Sequence, residues 1–172
     1  FSDHEKLHRM DLPTNVYPLF AQALRKEEKK TAAMHLDECS SLFSEFSKIA
    51  SKNPYSWFPS YRSAAEIAEE TPNNRMVGFP YTKYLNSVIR VNMASAFILM
   101  SQEKANDLHV AENKRVYVHG CSILNDIWNV TERPDFHSSP AIKTCVNQSL
   151  DQAEISLSDI KHFDLYSCFP SA

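Results

Sequence analysis

Glycine most constrains this chain, because only Gly78 and Gly120 occur in its 172 residues. Average usage of about 7% would supply about a dozen. Glycine serves left-handed turns, close approach of two backbones, and the loops that cradle phosphates. A self-contained α/β enzyme normally needs all three. Either the protein does its work without them, or the glycine-rich parts of its fold lie outside this stretch.

Other bulk properties narrow the class. Hydrophobic residues make up 43% and charged residues 23% of the chain, which is ordinary for a packed globular protein and too apolar for disorder. A net charge of −3 and a pI of about 6.2 give no electrostatic case for nucleic acid. No membrane span is expected: the longest apolar run, 93–100, is interrupted by Ser95 and falls short of the roughly 20 residues a bilayer requires. The chain opens Phe-Ser-Asp-His-Glu-Lys, with neither a starting Met nor a signal-peptide core, so a cut, processed or internal starting point is expected. Cys39, Cys121, Cys145 and Cys168 form no CxxC pair. The expectation is reduced thiols in an intracellular protein, cytoplasmic or organellar, with no metal site.

Periodicity divides the chain. Pro18 suits a helix first turn, followed by Leu19, Phe20, Ala23 and Leu24 at 3–4 spacing. A second helix is expected over about 31–51, with Leu36, Cys39, Leu42, Phe43, Phe46, Ile49 and Ala50 as its apolar seam. Residues 53–84 are aromatic and proline-punctuated, with a capping box at Ser63–Glu66, and large rings there are expected to pack. The run 93–105 reads as a buried helix. Residues 116–120 and 159–165 read as strands. Ser139-Pro140 opens a helix to about residue 152.

Several motifs, taken in order, resemble one family. Asn15-Val16-Tyr17-Pro18-Leu19-Phe20, Asn53-Pro54-Tyr55-Ser56-Trp57-Phe58-Pro59 and Asn74-Arg75-Met76-Val77-Gly78-Phe79-Pro80-Tyr81-Thr82-Lys83 are followed by Glu132-Arg133-Pro134-Asp135-Phe136 and Asp164-Leu165-Tyr166-Ser167-Cys168-Phe169-Pro170-Ser171-Ala172. Together they resemble the middle segment of the sterol-carrier-type thiolases and related acetyl-CoA acetyltransferases of the thiolase superfamily. The resemblance implies an α/β, thiolase-like fold segment. Residues 1–84 would be the inserted helical and aromatic loop domain, 85–121 the end of the first half, 122–138 a linker, and 139–172 the start of the second half. It further implies an acyl-CoA acyltransferase of lipid metabolism. Coenzyme A thioester would be its substrate, with no tightly bound cofactor. The remaining halves of the fold would be its partners, with a homo-oligomer as a further expectation.

Thiolase chemistry needs a cysteine nucleophile at a helix N-terminus, an acid/base to move the α-proton and an oxyanion hole. In the family, the nucleophile lies upstream of the matched segment, and the histidine and second cysteine lie downstream in glycine-rich loops. The resemblance therefore implies that residues 1–172 are inactive alone, and it accounts for the glycine shortage. It places Tyr166 and Ser167 at an oxyanion-hole-like position where the family carries Asn-Glu or His-Asp; ordinary strand-end packing is the rival reading. Asn86, Ser87 and Val88 match the loop against the pantetheine arm of coenzyme A, although Val88 and Ile89 are bulkier than the family's small residues. Cys168 reads as an inert thiol. Two rival functions stand beside acyl transfer: a non-catalytic thiolase-fold binder of acyl-CoA or lipid, and a helical interaction module built on the 36–50 seam.

Overall fold

The computed structural model describes all residues, Phe1–Ala172, and they form two compact units. Phe1–Ser87, Asn125–Ala141 and Phe163–Ala172 make the first; Val88–Leu124 and Ile142–His162 make the second.

The first unit begins with α1 (Asp3–Leu7), capped by a Ser2–Glu5 capping box. Helix α2 (Pro13–Glu27) starts earlier than the sequence suggests, with Pro13 rather than Pro18 in its first turn. Pro18 therefore lies inside the helix, where it has no N–H to donate to the Thr14 carbonyl. Gly78 comes up against that carbonyl: a Cβ on Gly78 would lie 2.7 Å from Thr14 O and 3.0 Å from Pro18 Cγ. Helix α3 (Ala32–Ala50) lies where the periodicity puts it, with Thr31 Oγ1 accepting the Met34 N–H at its N-cap.

The buried face of α3 differs from the predicted seam. His35, Cys39, Ser40 and Ser44 are buried, whereas Leu42, Phe46 and Ile49 are exposed. Small residues win this face because α4 (Ala64–Ala68) and its leading loop pack closely there. The Ser44 hydroxyl donates to Arg62 O at 2.8 Å, and the Arg62 N–H donates back to Ser47 Oγ at 2.9 Å. The Ser63–Glu66 capping box is formed. The aromatic loop ahead of it corrects another expectation: Tyr55, Trp57, Phe58 and Tyr61 are exposed. Prolines 54 and 59 hold that loop away from helix and sheet, and its rings stay largely in solvent.

A two-stranded antiparallel hairpin follows, β1 (Met76–Gly78) and β2 (Tyr81–Thr82), with Met76 opposite Thr82 and Gly78 opposite Tyr81 across a bulge. A 3₁₀ turn, Lys83–Leu85, closes it. The core of the unit is Ala21, Cys39, Ile67, Tyr81, Leu85 and Phe169, with Tyr17, Leu36, Phe43, Tyr84 and Cys168 packed around it. Glu5 adds a buried polar tie: its carboxylate accepts from the Thr131 N–H and hydroxyl at 2.9 and 3.0 Å and from the Ser2 N–H at 2.7 Å.

The second unit holds α5 (Gln102–Asp107) and α6 (Pro140–Ala153, of which residues 142–153 belong here). Only the end of the expected 93–105 helix is helical, and Met93, Phe97, Ile98 and Leu99 are exposed. An all-round apolar helix needs apolar neighbours on every side, and this unit offers too few. The segments expected as strands at 116–120 and 159–165 carry no regular strand. Each has β-forming residues, but a strand exists only through a partner's ladder, and no other segment supplies one. Gly120 packs on α6, where a Cβ would lie 2.1 Å from Ser149 O. The Cys121 N–H donates to Gln152 Oε1 at 3.0 Å and the Ser122 hydroxyl to Gln148 Oε1 at 2.6 Å.

The two glycines are thus spent on close approaches, and helix ends go without. Arg9, Lys29, His109 and Glu154 follow α1, α2, α5 and α6 at φ of 57°, 55°, 53° and 56°. Each helix closes with a six-to-one backbone bond, for example Val110 N–H to Ala105 O at 2.9 Å. Glycine would take this conformation at least strain. No helix is long and apolar enough to cross a membrane.

Candidate functional site

The site is assembled from the hairpin outward. Asn74, 1% exposed, sits in the turn between α4 and β1. Its amide group faces the carbonyls of Glu66, Ile67 and Glu69 at 3.2, 3.0 and 2.8 Å, and its Oδ1 accepts the Tyr84 N–H at 2.9 Å. The Thr82 hydroxyl also donates to Ile67 O at 2.7 Å. These bonds place the 3₁₀ turn, and buried Leu85 pins it into the core.

That turn delivers the loop matched to the coenzyme A contact. Asn86 Nδ2 donates to Thr82 O at 2.6 Å, while its buried Oδ1 receives no donor from the protein. The Ser87 N–H and hydroxyl both donate to the Cys168 carbonyl, at 3.3 and 3.2 Å. Val88 is exposed and begins the second unit.

Segment 163–172 arrives from the far end of the chain. Phe169, 3% exposed, stacks on Tyr17 with ring centroids 4.3 Å apart and tilts against Tyr81 at 5.8 Å. The Ser171 N–H donates to the Tyr81 hydroxyl at 3.2 Å. Burial of the Tyr81 ring pushes its phenol up to about 12. The structure therefore brings Asn86 and Ser87 together with the 166–169 motif, about eighty positions away along the chain.

The two residues matched to the oxyanion-hole-like position differ in their freedom. Tyr166 is 88% exposed, with its hydroxyl 2.7 Å from Cys168 Sγ. The neighbouring Cys168 holds the phenol above its ordinary range, so at neutral pH it keeps its proton, and either group can donate in their contact. The Ser167 hydroxyl donates to the Phe169 carbonyl and is thereby occupied. The arrangement offers one exposed neutral donor and no carboxylate to move a proton.

Cys39 lacks the setting of an activated nucleophile. Cys39 Sγ lies 3.7 Å from His35 Nε2, a cysteine–histidine pair one helical turn apart that the sequence reading passed over. Burial pushes this thiol up to about 11 and lowers the His35 pKa. Activation requires the opposite shift in the thiol. The Cys39 thiol is therefore not activated by its histidine.

Asn74 was also missed as a positioning residue. The turn-forming cluster Pro72-Asn73-Asn74 marks a turn, but not three carbonyls converging on one amide.

No protein-family model matches the chain, and no curated protein sequence matches it. Among solved structures, it is similar to the crystal structure of a monomeric SCP2-thiolase-like protein type 1 from Mycobacterium smegmatis. The TM-score is 0.78 at 36% sequence identity, over 92% of this chain and 35% of that one. The chain thus spans about a third of that protein's length.

Proposed function

The chain belongs to the thiolase superfamily, on its sterol-carrier-type thiolase-like branch, and from that premise we propose that it is a segment of an acyl-CoA acyltransferase that cleaves or forms a carbon–carbon bond next to a thioester. The observation that carries the reading is the junction of Ser87 with the Cys168 carbonyl, which sets a loop matched to the pantetheine arm beside a motif matched to the oxyanion hole. In the proposed reaction the substrate is a coenzyme A thioester. The Tyr166 hydroxyl donates toward the thioester oxygen as negative charge develops there, and Asn86, Ser87 and Val88 lie along the pantetheine. Residues 1–172 alone are proposed to be inactive.

The test uses acetoacetyl-CoA and coenzyme A, with the complete product of the coding sequence beside the 172-residue chain. Thiolytic cleavage by the complete product, reduced about tenfold or more in kcat by Tyr166→Phe, supports the proposal. Turnover that Tyr166→Phe leaves unchanged refutes the role of Tyr166, and turnover by the 172-residue chain refutes its inactivity.

A second reading, a thiolase-fold binder of acyl-CoA without catalysis, is favoured by Ser167, whose hydroxyl is tied to the Phe169 carbonyl where the family carries an acid. Saturable binding of acetoacetyl-CoA by the complete product without cleavage would select it.

A further inference from the structure

A second cluster of chemistry-bearing side chains stands where α2 hands over to α3. Glu28 ends α2, and His35 and Glu38 occupy successive turns of α3 three positions apart, which puts both on one helix face. Ligand atoms from all three lie within 4.8 Å of one another. Two carboxylates and an imidazole are the oxygen and nitrogen donors of many divalent-metal sites. The side chains also divide the work: His35 is 3% exposed and held by packing, whereas Glu28 and Glu38 face solvent, through which an ion enters.

The two glutamates already converge on a cation. Lys30 Nζ lies 2.9 Å from Glu28 Oε2 and 2.6 Å from Glu38 Oε2. The backbone that presents Glu28 does not depend on that ammonium. Lys29 takes φ 55°, the Lys30 N–H donates to Arg25 O at 3.0 Å, and Arg25 Nη1 donates to Lys30 O at 2.9 Å. This linker keeps the backbone of Glu28 close to the start of α3 even when the lysine side chain swings away. Ligands of Zn²⁺ sit about 2.0–2.2 Å from the ion, so each glutamate has to close by about an ångström, within the reach of a solvent-exposed rotamer.

We propose that Glu28, His35 and Glu38 form a binding site for a first-row divalent metal ion of the Zn²⁺ type, with Lys30 as its internal competitor. Three protein ligands leave a fourth position for water. The ion staples the end of α2 to the second turn of α3; it takes no part in the proposed acyl transfer, whose residues are elsewhere in the unit. The Arg25 guanidinium is the nearby positive charge that opposes the ion.

Titration of the full chain with Zn²⁺, and with Co²⁺ followed by its visible absorption, tests this. Removing the competing ammonium in Lys30→Met tightens one-to-one binding about tenfold or more. Adding Glu38→Gln to that variant, a change at an exposed position, loses about tenfold or more, and adding His35→Gln does the same. The other histidines and the cysteines are present in every variant, so the differences belong to this site. The proposal fails if Lys30→Met leaves affinity within twofold of the native chain. It also fails if Lys30→Met/Glu38→Gln binds as tightly as Lys30→Met.

Discussion

Replacing Asn74 tests the link between fold and site most directly, because one amide ties the carbonyls at the end of α4 to the Tyr84 N–H. In Asn74→Ala, the carbonyls of Glu66 and Glu69 and the N–H of Tyr84 lose their side-chain partner, while Ile67 O keeps the Thr82 hydroxyl. Leaving a buried polar group unpaired costs about 1–3 kcal/mol. Taking the lower end for each of these partly buried groups, the predicted loss is about 3 kcal/mol, a large share of the roughly 5–15 kcal/mol of a typical domain. Asn74→Asp should be worse than alanine, although it is nearly isosteric. A carboxylate would face three carbonyl oxygens in place of an N–H₂ group, and a buried charge with the Tyr84 N–H as its one donor is disfavoured. The assay is urea unfolding followed by circular dichroism, with the slope held common to the variants. Asn74→Ala within about 0.5 kcal/mol of the native chain would refute the hub. Asn74→Asp more stable than Asn74→Ala would refute the donor role of the amide nitrogen.

The other expectations are shorter. Phe169→Ala empties the slot between Tyr17 and Tyr81 and should destabilise the first unit by about 3–5 kcal/mol; limited proteolysis should then cut within 163–172 first, and unchanged resistance would refute the anchor. Glu5 has its carboxyl lowered from 4.5 to about 2, chiefly by the Thr131 N–H. Its stabilising effect is therefore complete above about pH 4.5 and lost as pH falls through about 2. Urea midpoints of the native chain and Glu5→Gln should converge across that window, and a constant gap would refute the assignment. Gly120→Ala drives a methyl to 2.1 Å from Ser149 O and should cost about 1–3 kcal/mol, read as faster amide hydrogen exchange in α6; unchanged protection would refute the close approach.

Local rules reach far in this chain where a few neighbouring residues decide the outcome. Ser63 caps α4 by bonding the Glu66 N–H three positions on, a bond legible in sequence because both partners lie in one short stretch; Thr31 and Ser101 cap α3 and α5 in the same way, Ser101 within the run expected as one helix. The ordered motifs likewise point to the thiolase-like family, in agreement with the structural similarity. Periodicity misleads where burial depends on what packs opposite. On α3 it selects Leu42, Phe46 and Ile49, while the buried face takes Ser40 and Ser44 because α4 approaches closely. Residues 116–120 and 159–165 have the composition of strands but no ladder partner.

The sequence by itself determined the helix caps and the ordered family motifs, because each depends on residues close together in the chain. Tertiary structure alone decided that Ser87 meets the Cys168 carbonyl, that Asn74 gathers three carbonyls, and that Glu28 joins His35 and Glu38. It also decided the use of the two glycines. Scarcity was plain in the sequence, but a missing side chain matters only where another backbone comes within van der Waals distance. At Gly78 that neighbour is the Thr14 carbonyl, about sixty positions away, and at Gly120 the Ser149 carbonyl, about thirty away. Non-local contacts of this kind follow from how the whole chain packs, which no window of neighbouring residues contains.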